Sequence, residues 1–426
     1  MNVHESEKLS GMLEKHDYVP TDIVEDSDIV LFNTCCIRKG AEDKIYGNLG
    51  YMKNLKEKNP NLIVGVCGCM SQQPGKEEEM KEKCPFIDII FGTHNLNRFS
   101  DFLVDFENNH EYIAEIVEGD GTVVEGVPIS RKTEFNAYVN ISYGCNNFCT
   151  YCIVPYVRGR EKSRKPKDII NEVEEILKQG KYKVITLLGQ NVNSYGKDLD
   201  EDVNFAKLLK MIADLPYDFL LKFLTSHPKD ISDELIDAIA SNDKISKALH
   251  LPVQAGSNSI LKAMNRNYTA ENYLEKIRKV REKIPNIALS SDIIVGFPGE
   301  TDEDFEKTCD LVREVKYNSL YVFMYSKRKG TVAYDMPNQV PLEVKRQRIN
   351  KLLAIEKEIA NDNIKHMLGT KQKCLIEKHI EADQFMVRTD CGKTVMVELS
   401  NVFVGNFVNV EIIGFVGKQL IGVQVD

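Results

Sequence analysis

The 426-residue sequence has no apolar run approaching the roughly 18 residues that a membrane span needs. Its first residues, Met1-Asn-Val-His-Glu-Ser-Glu-Lys, lack the charged-then-apolar pattern of a secretory signal. It also lacks an excess of positive charge. The formal net charge is −9, so any contact with nucleic acid must come from local basic patches and not from a global field. Nor is this the short, cysteine-dense chain of a disulfide-stapled secreted domain. Eleven cysteines in a chain this long point to metal binding or catalysis in a reducing compartment. These absences predict a soluble, cytoplasmic protein with no membrane partner. The length predicts two to four domains, and 42% apolar residues suffice to build their cores.

The densest chemistry lies in Cys145-Asn-Asn-Phe-Cys149-Thr-Tyr-Cys152, three cysteines at i, i+4 and i+7 after the apolar run 138–141. Three thiolates can hold three irons of a four-iron cluster. No fourth cysteine lies nearby, which leaves one iron open to a small molecule, as a catalytic centre requires. The other readings are a zinc knuckle or three unrelated buried thiols. Zinc takes four ligands, and no cysteine or histidine follows within the next forty residues.

Along the chain, residues 1 to about 105 alternate helices with continuous apolar strands at 28–33, 61–67 and 86–91. That pattern predicts a parallel sheet covered on both faces, with ligands beyond the carboxyl ends of its strands. Cys35 and Cys69 fall at such ends and suggest a second cluster site; free buried thiols are the alternative. A Gly-rich acidic stretch, 108–134, reads as the inter-domain connection. Residues 135–335 repeat strand and helix, with strands expected at 137–142, 183–189, 221–226, 248–253, 289–296 and 319–325. Six such units predict a (β/α)6 partial barrel resembling a TIM barrel, with its chemistry at the C-terminal strand ends. Helices are expected at 167–178 and at 302–316, the latter capped by Thr301. His227 and His250 read as ordinary satisfied histidines. A long charged helix at 341–368 precedes period-two runs at 371–378, 384–389, 394–398, 407–413 and 419–424, which predict a small antiparallel barrel. Cys309, Cys374 and Cys391 read as core residues. The fold class is thus α/β multidomain, divided as 1–115, 131–366 and 367–426.

The Cys-x3-Cys-x2-Cys loop, with the aromatic Tyr151 before its last cysteine, resembles the signature of the radical S-adenosylmethionine superfamily. Its surroundings are more specific. Pro155-Tyr-Val-Arg158-Gly-Arg160-Glu, Leu187-Leu-Gly189-Gln-Asn191-Val-Asn193, His250-Leu-Pro-Val-Gln254 and Ser290-Ser-Asp292-Ile-Ile-Val-Gly296-Phe-Pro-Gly299-Glu resemble the methylthiotransferases. The nearest branch is the one that acts on isopentenyladenosine in tRNA. The resemblance covers essentially the whole chain. It implies an N-terminal methylthiotransferase domain, a radical core and a C-terminal RNA-binding barrel called TRAM.

It further implies two 4Fe–4S clusters, with Cys145, Cys149 and Cys152 holding the one that binds S-adenosylmethionine. Tyr151, Gly189, Gln190, Asn191, Ser226, Gln254 and Gly296 would line the cofactor site, Gly189 and Gly296 by allowing close backbone approach. One electron would release a 5′-deoxyadenosyl radical, which takes hydrogen from C2 of the adenine at tRNA position 37. Sulfur would enter from, or through, the second cluster, and a second S-adenosylmethionine would supply the methyl group. Cys35 and Cys69 match two of that cluster's three cysteines. The third belongs to a Gly-Cys-Gln-Met-Asn segment that the family carries before the point where this sequence starts. The expectation is a misassigned start, and otherwise an incomplete cluster and an exposed sheet edge.

The implied partners are a tRNA anticodon stem-loop carrying the modified adenosine and a reductant protein of flavodoxin or ferredoxin type, with the enzyme a monomer. Candidate phosphate contacts are Arg158, Arg160 and Arg164, with Lys162 and Lys165. Two further patches are 327–329 and the helix carrying Lys345, Arg346 and Arg348. The branch acting on threonylcarbamoyladenosine is the alternative substrate reading. A non-catalytic RNA-binding iron–sulfur protein and a zinc hydrolase are the alternatives from other classes. Iron and sulfide content, with deoxyadenosine release on reduction, separates all three.

Overall fold

The computed structural model describes residues 1–36, 39–121 and 123–425. They form two compact units. The first comprises Met1–Lys132, Asn140–Arg164 and Ser326–Asp335; the second comprises Thr133–Val139, Lys165–Tyr325 and the chain from Met336 onward. The cysteine loop, expected within 131–366, therefore shares a unit with the N-terminal residues. Among the described residues no helix is long and apolar enough to cross a membrane.

The first unit is built on a parallel sheet of β1 (Ile29–Thr34), β2 (Ile63–Gly68), β3 (Ile89–Phe91) and β4 (Ile113–Glu115), in that order. Strand β2 is buried throughout. Its side chains alternate between two cores: Val64 and Val66 pack with Leu49, Met52 and Met80, and Ile63 and Cys67 with Leu9, Met12, Phe99 and Phe102. Helices α1 (Asn2–Lys15) and α4 (Phe99–Asn109) cover the second face. Helices α2 (Lys39–Lys58) and α3 (Lys76–Lys83) supply the first. Strand β1, expected to be fully buried, is only half-buried over Ile29–Phe32 because it ends the sheet. A groove of about 830 Å³ runs beside it, lined by Leu9, Leu13, Tyr18, Ile29 and Leu31 among others. Strand β4 arises within the stretch expected to be a connection.

The cysteine loop follows β5 (Asn136–Asn140). It sits inside a short antiparallel hairpin of β6 (Ser142–Tyr143) and β7 (Lys162–Ser163), with the one-turn helix α5 (Val154–Arg158) between them. The second unit carries β8 (Val184–Leu188), β9 (Leu220–Phe223), β10 (Ala248–His250), β11 (Ala288–Val295) and β12 (Ser319–Met324). They form the sheets β5-β8-β9 and β10-β11-β12. The pairings β8–β9, β10–β11 and β11–β12 are parallel, and a parallel bridge, Leu221 to Ile245, continues from the first sheet.

The intervening helices bury apolar stripes. Helix α6 (Pro166–Lys178) turns Ile169, Val173, Ile176 and Leu177 inward, as their spacing predicts. Helices α7 (Phe205–Ala213), α8 (Asp233–Ser241), α9 (Asn258–Ala263) and α10 (Ala270–Lys283) follow. Helix α11 (Asp302–Val315) begins in a capping box, with Thr301 accepting from the Asp304 N–H. Cys309 is buried on it.

After α12 (Leu342–His366) come β13 (Lys371–Glu381), β14 (Gln384–Thr389), β15 (Thr394–Glu398), β16 (Phe407–Val416) and β17 (Gln419–Gln424). They close into a barrel in the order β13-β14-β15-β17-β16. The closing pair β15–β17 is parallel, so the barrel is not antiparallel throughout as expected. Cys374 lies in its core, whereas Cys391 is half-buried in a turn against the Thr389 hydroxyl.

Candidate functional site

The cysteine loop is closed by its glycine and its turns. Gly144 has φ +68°, and a Cβ there would stand 2.1 Å from the Arg160 carbonyl oxygen, so no other residue lets the hairpin close. The Cys145 N–H donates to the Gly159 carbonyl and the Cys152 N–H to the Cys149 carbonyl. The Ala333 N–H donates to the Thr150 carbonyl and ties the loop to the 326–335 segment of the same unit. Cys145 and Cys149 are buried, Cys152 and Tyr151 half-buried, and none of the three thiols is in a disulfide. Burial pushes the Cys145 thiol up to about 11. A buried thiolate is stable only beside positive charge, which a metal cluster supplies. Among the described residues no three His, Cys, Asp or Glu side chains gather around one point as the ligands of a single ion would. A cluster asks something else of its cysteines, since each thiolate takes its own iron. Three thiols outside any disulfide, two of them buried, in one eight-residue loop fit that demand.

The same unit holds a second group of thiols. Cys35 and Cys36 follow β1, and Cys69 follows β2, at the carboxyl ends of adjacent parallel strands. The two ends are stitched together: the Cys69 N–H donates to the Thr34 carbonyl, and the Thr34 hydroxyl donates to the Cys67 carbonyl at 2.6 Å. Cys67 points to the opposite face, into the core with Leu9 and Phe99. Cys36 instead joins the face of Cys69. A hydrogen bond from Cys36, reinforced by the charge of Arg158, holds the Cys69 thiol below its ordinary value; the same bond and burial push Cys36 up.

Arg158 is the connection between the two groups. It ends α5, six residues after Cys152, and its Nε donates to the Cys69 sulfur at 3.2 Å. Its remaining nitrogens donate to Glu5 (2.5 and 3.0 Å) and to the Asn2 side chain (2.9 Å). Burial opposes the Glu5 charge, yet Arg158 keeps that carboxyl below the usual carboxylate range.

The remaining expected site residues lie in the second unit. Gly189, Gln190 and Asn191 follow β8, Ser226 follows β9, Gln254 follows β10 and Gly296 follows β11. Asn191 donates to Asp230 at 2.7 Å. The Asn191 side-chain Oδ1, both side-chain amide atoms of Asn193, the Ser226 hydroxyl and His227 Nε2 are buried without a hydrogen-bond partner. Buried polar atoms are rarely left unpaired, so these atoms can take hydrogen bonds from ordered water or a bound polar molecule. Asn193 belongs to this group as part of the motif after β8, and His227, read from the sequence as an ordinary satisfied histidine, is corrected: its Nε2 has no partner. Gly296 has another cause than the one expected. Its φ is +71° and a Cβ would meet the Lys345 side chain at 2.3 Å, so it makes room for α12. His250 is satisfied, with Nδ1 3.0 Å from the Ser290 hydroxyl.

His227 gives this rim a pH signature. Burial, and then the charges of Arg266 and Lys229, lower it from 6.5 to about 2. The unfolded chain therefore takes up a proton below pH 6.5 that the fold excludes, and stability present above 6.5 is lost as pH falls. At pH 5 the loss is about 2 kcal/mol. Denaturant midpoints at pH 7 and pH 5 measure it, and His227→Asn should remove that part of the slope.

Several of the expected phosphate contacts are committed elsewhere, while Lys165, Lys327 and Lys329 stay exposed. Arg158 and Arg164 are buried, and Arg164 is held by Glu125 and the Asn140 carbonyl. Arg328 is buried against Glu42. Lys345 donates to the Tyr325 carbonyl, and Arg348 is gripped by Glu300 and Asp302, so of the three cations expected on this edge of α12 Arg346 alone is exposed. Arg160 is exposed. Arg158 and Arg164 are thus corrected from RNA contacts to internal ties, because carboxylates from distant parts of the unit occupy their guanidinium groups.

Residues 139–312 match the Radical SAM superfamily, and residues 1–92 match the uncharacterized protein family UPF0004. The chain is 50% identical over its whole length to the tRNA-2-methylthio-N(6)-dimethylallyladenosine synthase of a Clostridium botulinum strain, covering 95% of that protein. It is 53% identical, over 97% of this chain and 88% of the relative, to the enzyme of the same name from Thermoanaerobacter pseudethanolicus. Among solved structures, the radical S-adenosylmethionine methyltransferase TsrM of Kitasatospora setae aligns over 77% of this chain and 66% of its own. Its TM-score is 0.53 at 14% identity, which is a likeness of fold.

Proposed function

The chain belongs to the tRNA-2-methylthio-N(6)-dimethylallyladenosine synthases of the radical SAM superfamily, and on that premise we propose how its residues divide the work. It is a radical S-adenosylmethionine methylthiotransferase of tRNA, dependent on 4Fe–4S clusters. Cys145, Cys149 and Cys152 hold the cluster that binds S-adenosylmethionine, with Tyr151 beside them. When loaded, that cluster and its ligand supply the radical that opens the adenine C2–H bond. Asn191, Ser226, Gln190 and Gln254 orient the cofactor, with the unpaired polar atoms of Asn193 and His227. Cys35 and Cys69 hold the second cluster, and Arg158 fixes the Cys69 sulfur.

The strand–helix repeats are read as a (β/α)6 radical core at 131–366, preceded by a methylthiotransferase domain at 1–115. The closed five-stranded barrel at 367–426 is read as a TRAM module that contributes to RNA binding. A monomer reduced by a flavodoxin- or ferredoxin-type protein in the cytoplasm, where tRNA is found, completes the reading.

The observation that carries this is the loop of three cysteines outside any disulfide, in a chain half identical, end to end, to enzymes of this name. Nucleoside mass spectrometry of tRNA tests it. Anaerobically reconstituted protein should convert isopentenyladenosine at position 37 to its 2-methylthio derivative, and a deletion strain should accumulate the precursor. Conversion of threonylcarbamoyladenosine instead would move the chain to the alternative branch.

A further inference from the structure

The geometry points to Tyr156, Phe148 and Arg160 as a stacking site for an unpaired base of the RNA loop; the inference rests on the tRNA reading above. With Arg158 and Arg164 turned inward, the segment after the cysteines presents Arg160 to solvent. The Arg160 guanidinium lies 4.4 Å from the centre of the Phe148 ring. Phe148 in turn meets Tyr156 edge to face, with centroids 5.8 Å apart at 89°. Helix α5 buries Val154, Pro155, Val157 and Arg158 and leaves Tyr156 as its outward residue, 44% exposed.

Phe148 is held at φ +45°, in the left-handed region that residues with a Cβ seldom adopt. It stands between Cys145 and Cys149, so the loop that positions the thiols also sets this ring. Such strain clusters where function needs a fixed geometry. An exposed tyrosine alone would need no explanation. An exposed tyrosine joined through a second ring to a guanidinium that lies over that ring, on an acidic chain, has the composition that binds single-stranded nucleic acid. Aromatic faces and arginine planes take up splayed bases, whatever their sequence. Tyr156 takes the base, and Arg160, steadied by Phe148, meets the neighbouring backbone.

The test uses the loaded full-length protein and an anticodon stem-loop RNA carrying isopentenyladenosine, with 2-aminopurine at an adjacent unpaired position. Y156A should weaken binding about tenfold and abolish the quenching of 2-aminopurine, with an unchanged salt slope. Y156F should bind as the parent does. R160A should lower the salt slope by about one. Iron and sulfide content equal to the parent's certifies each variant; if Y156A loses iron, Y156L, which keeps bulk without the ring, is read in its place. Parent-like affinity and quenching in the tyrosine variant would overturn the stacking site and leave the enzyme assignment standing. A parent protein that neither binds nor modifies this RNA would remove the assignment, and the inference with it.

Discussion

Cys149→Ala should reduce deoxyadenosine release on reduction to the background of iron-free protein and remove about four irons per chain. The loop offers three thiols, and no histidine or cysteine follows within forty residues to replace one. With two ligands left, the cluster has no third anchor to set beside its open iron. Cys145→Ala and Cys152→Ala should behave alike. Cys309→Ala and Cys374→Ala are the contrast. Both thiols are buried, in α11 and in the barrel core, and have only packing to lose. They should cost about 1 kcal/mol of stability and keep their iron. Equal iron content in Cys149→Ala and the parent would refute the ligand assignment.

Arg158→Met should be the most damaging change outside the cysteines. It leaves the Glu5 carboxylate buried without its partner, at a cost of about 3–5 kcal/mol. For a unit of this size that corresponds to a melting temperature lower by roughly 10 °C. It also removes the donor to the Cys69 sulfur, so iron assigned to the second cluster should fall while iron at the cysteine loop remains. The double variant Glu5→Leu with Arg158→Met separates the two effects. Replacing a buried ion pair by apolar side chains is often close to neutral. Stability should therefore return in the double variant, and the iron deficit should not. Restoration of both would reduce Arg158 to a structural tie.

How much was legible depended on how far apart the interacting residues lie. The strands and helices of the second unit fall within a few residues of their expected places, because alternation and helical spacing are local signals. Examples are the α6 stripe of Ile169, Val173, Ile176 and Leu177 and the Thr301 cap of α11. The positions of Cys35 and Cys69 at strand ends were legible for the same reason. The fate of the basic residues was not. Arg158, Arg160 and Arg164 read alike as one cationic run. The partners of Arg158 and Arg164 are Glu5, 153 residues away, and Glu125, 39 away. Gly296 read as room for a ligand, yet what lies where its Cβ would be is Lys345, 49 residues further along the chain.

The sequence by itself determined that this is an α/β chain with three thiols in one loop, two more at strand ends and a small barrel to finish. Each of these rests on residue types at short, fixed spacing. Only the tertiary structure decided that the cysteine loop packs in one unit with the N-terminal thiols, through Arg158, and which spare thiol, Cys36 and not Cys67, shares their face. It alone decided which of the cations are exposed. Charge in a folded protein is shared out by contacts between distant segments. An arginine paired inside and one left in solvent look the same until those segments meet.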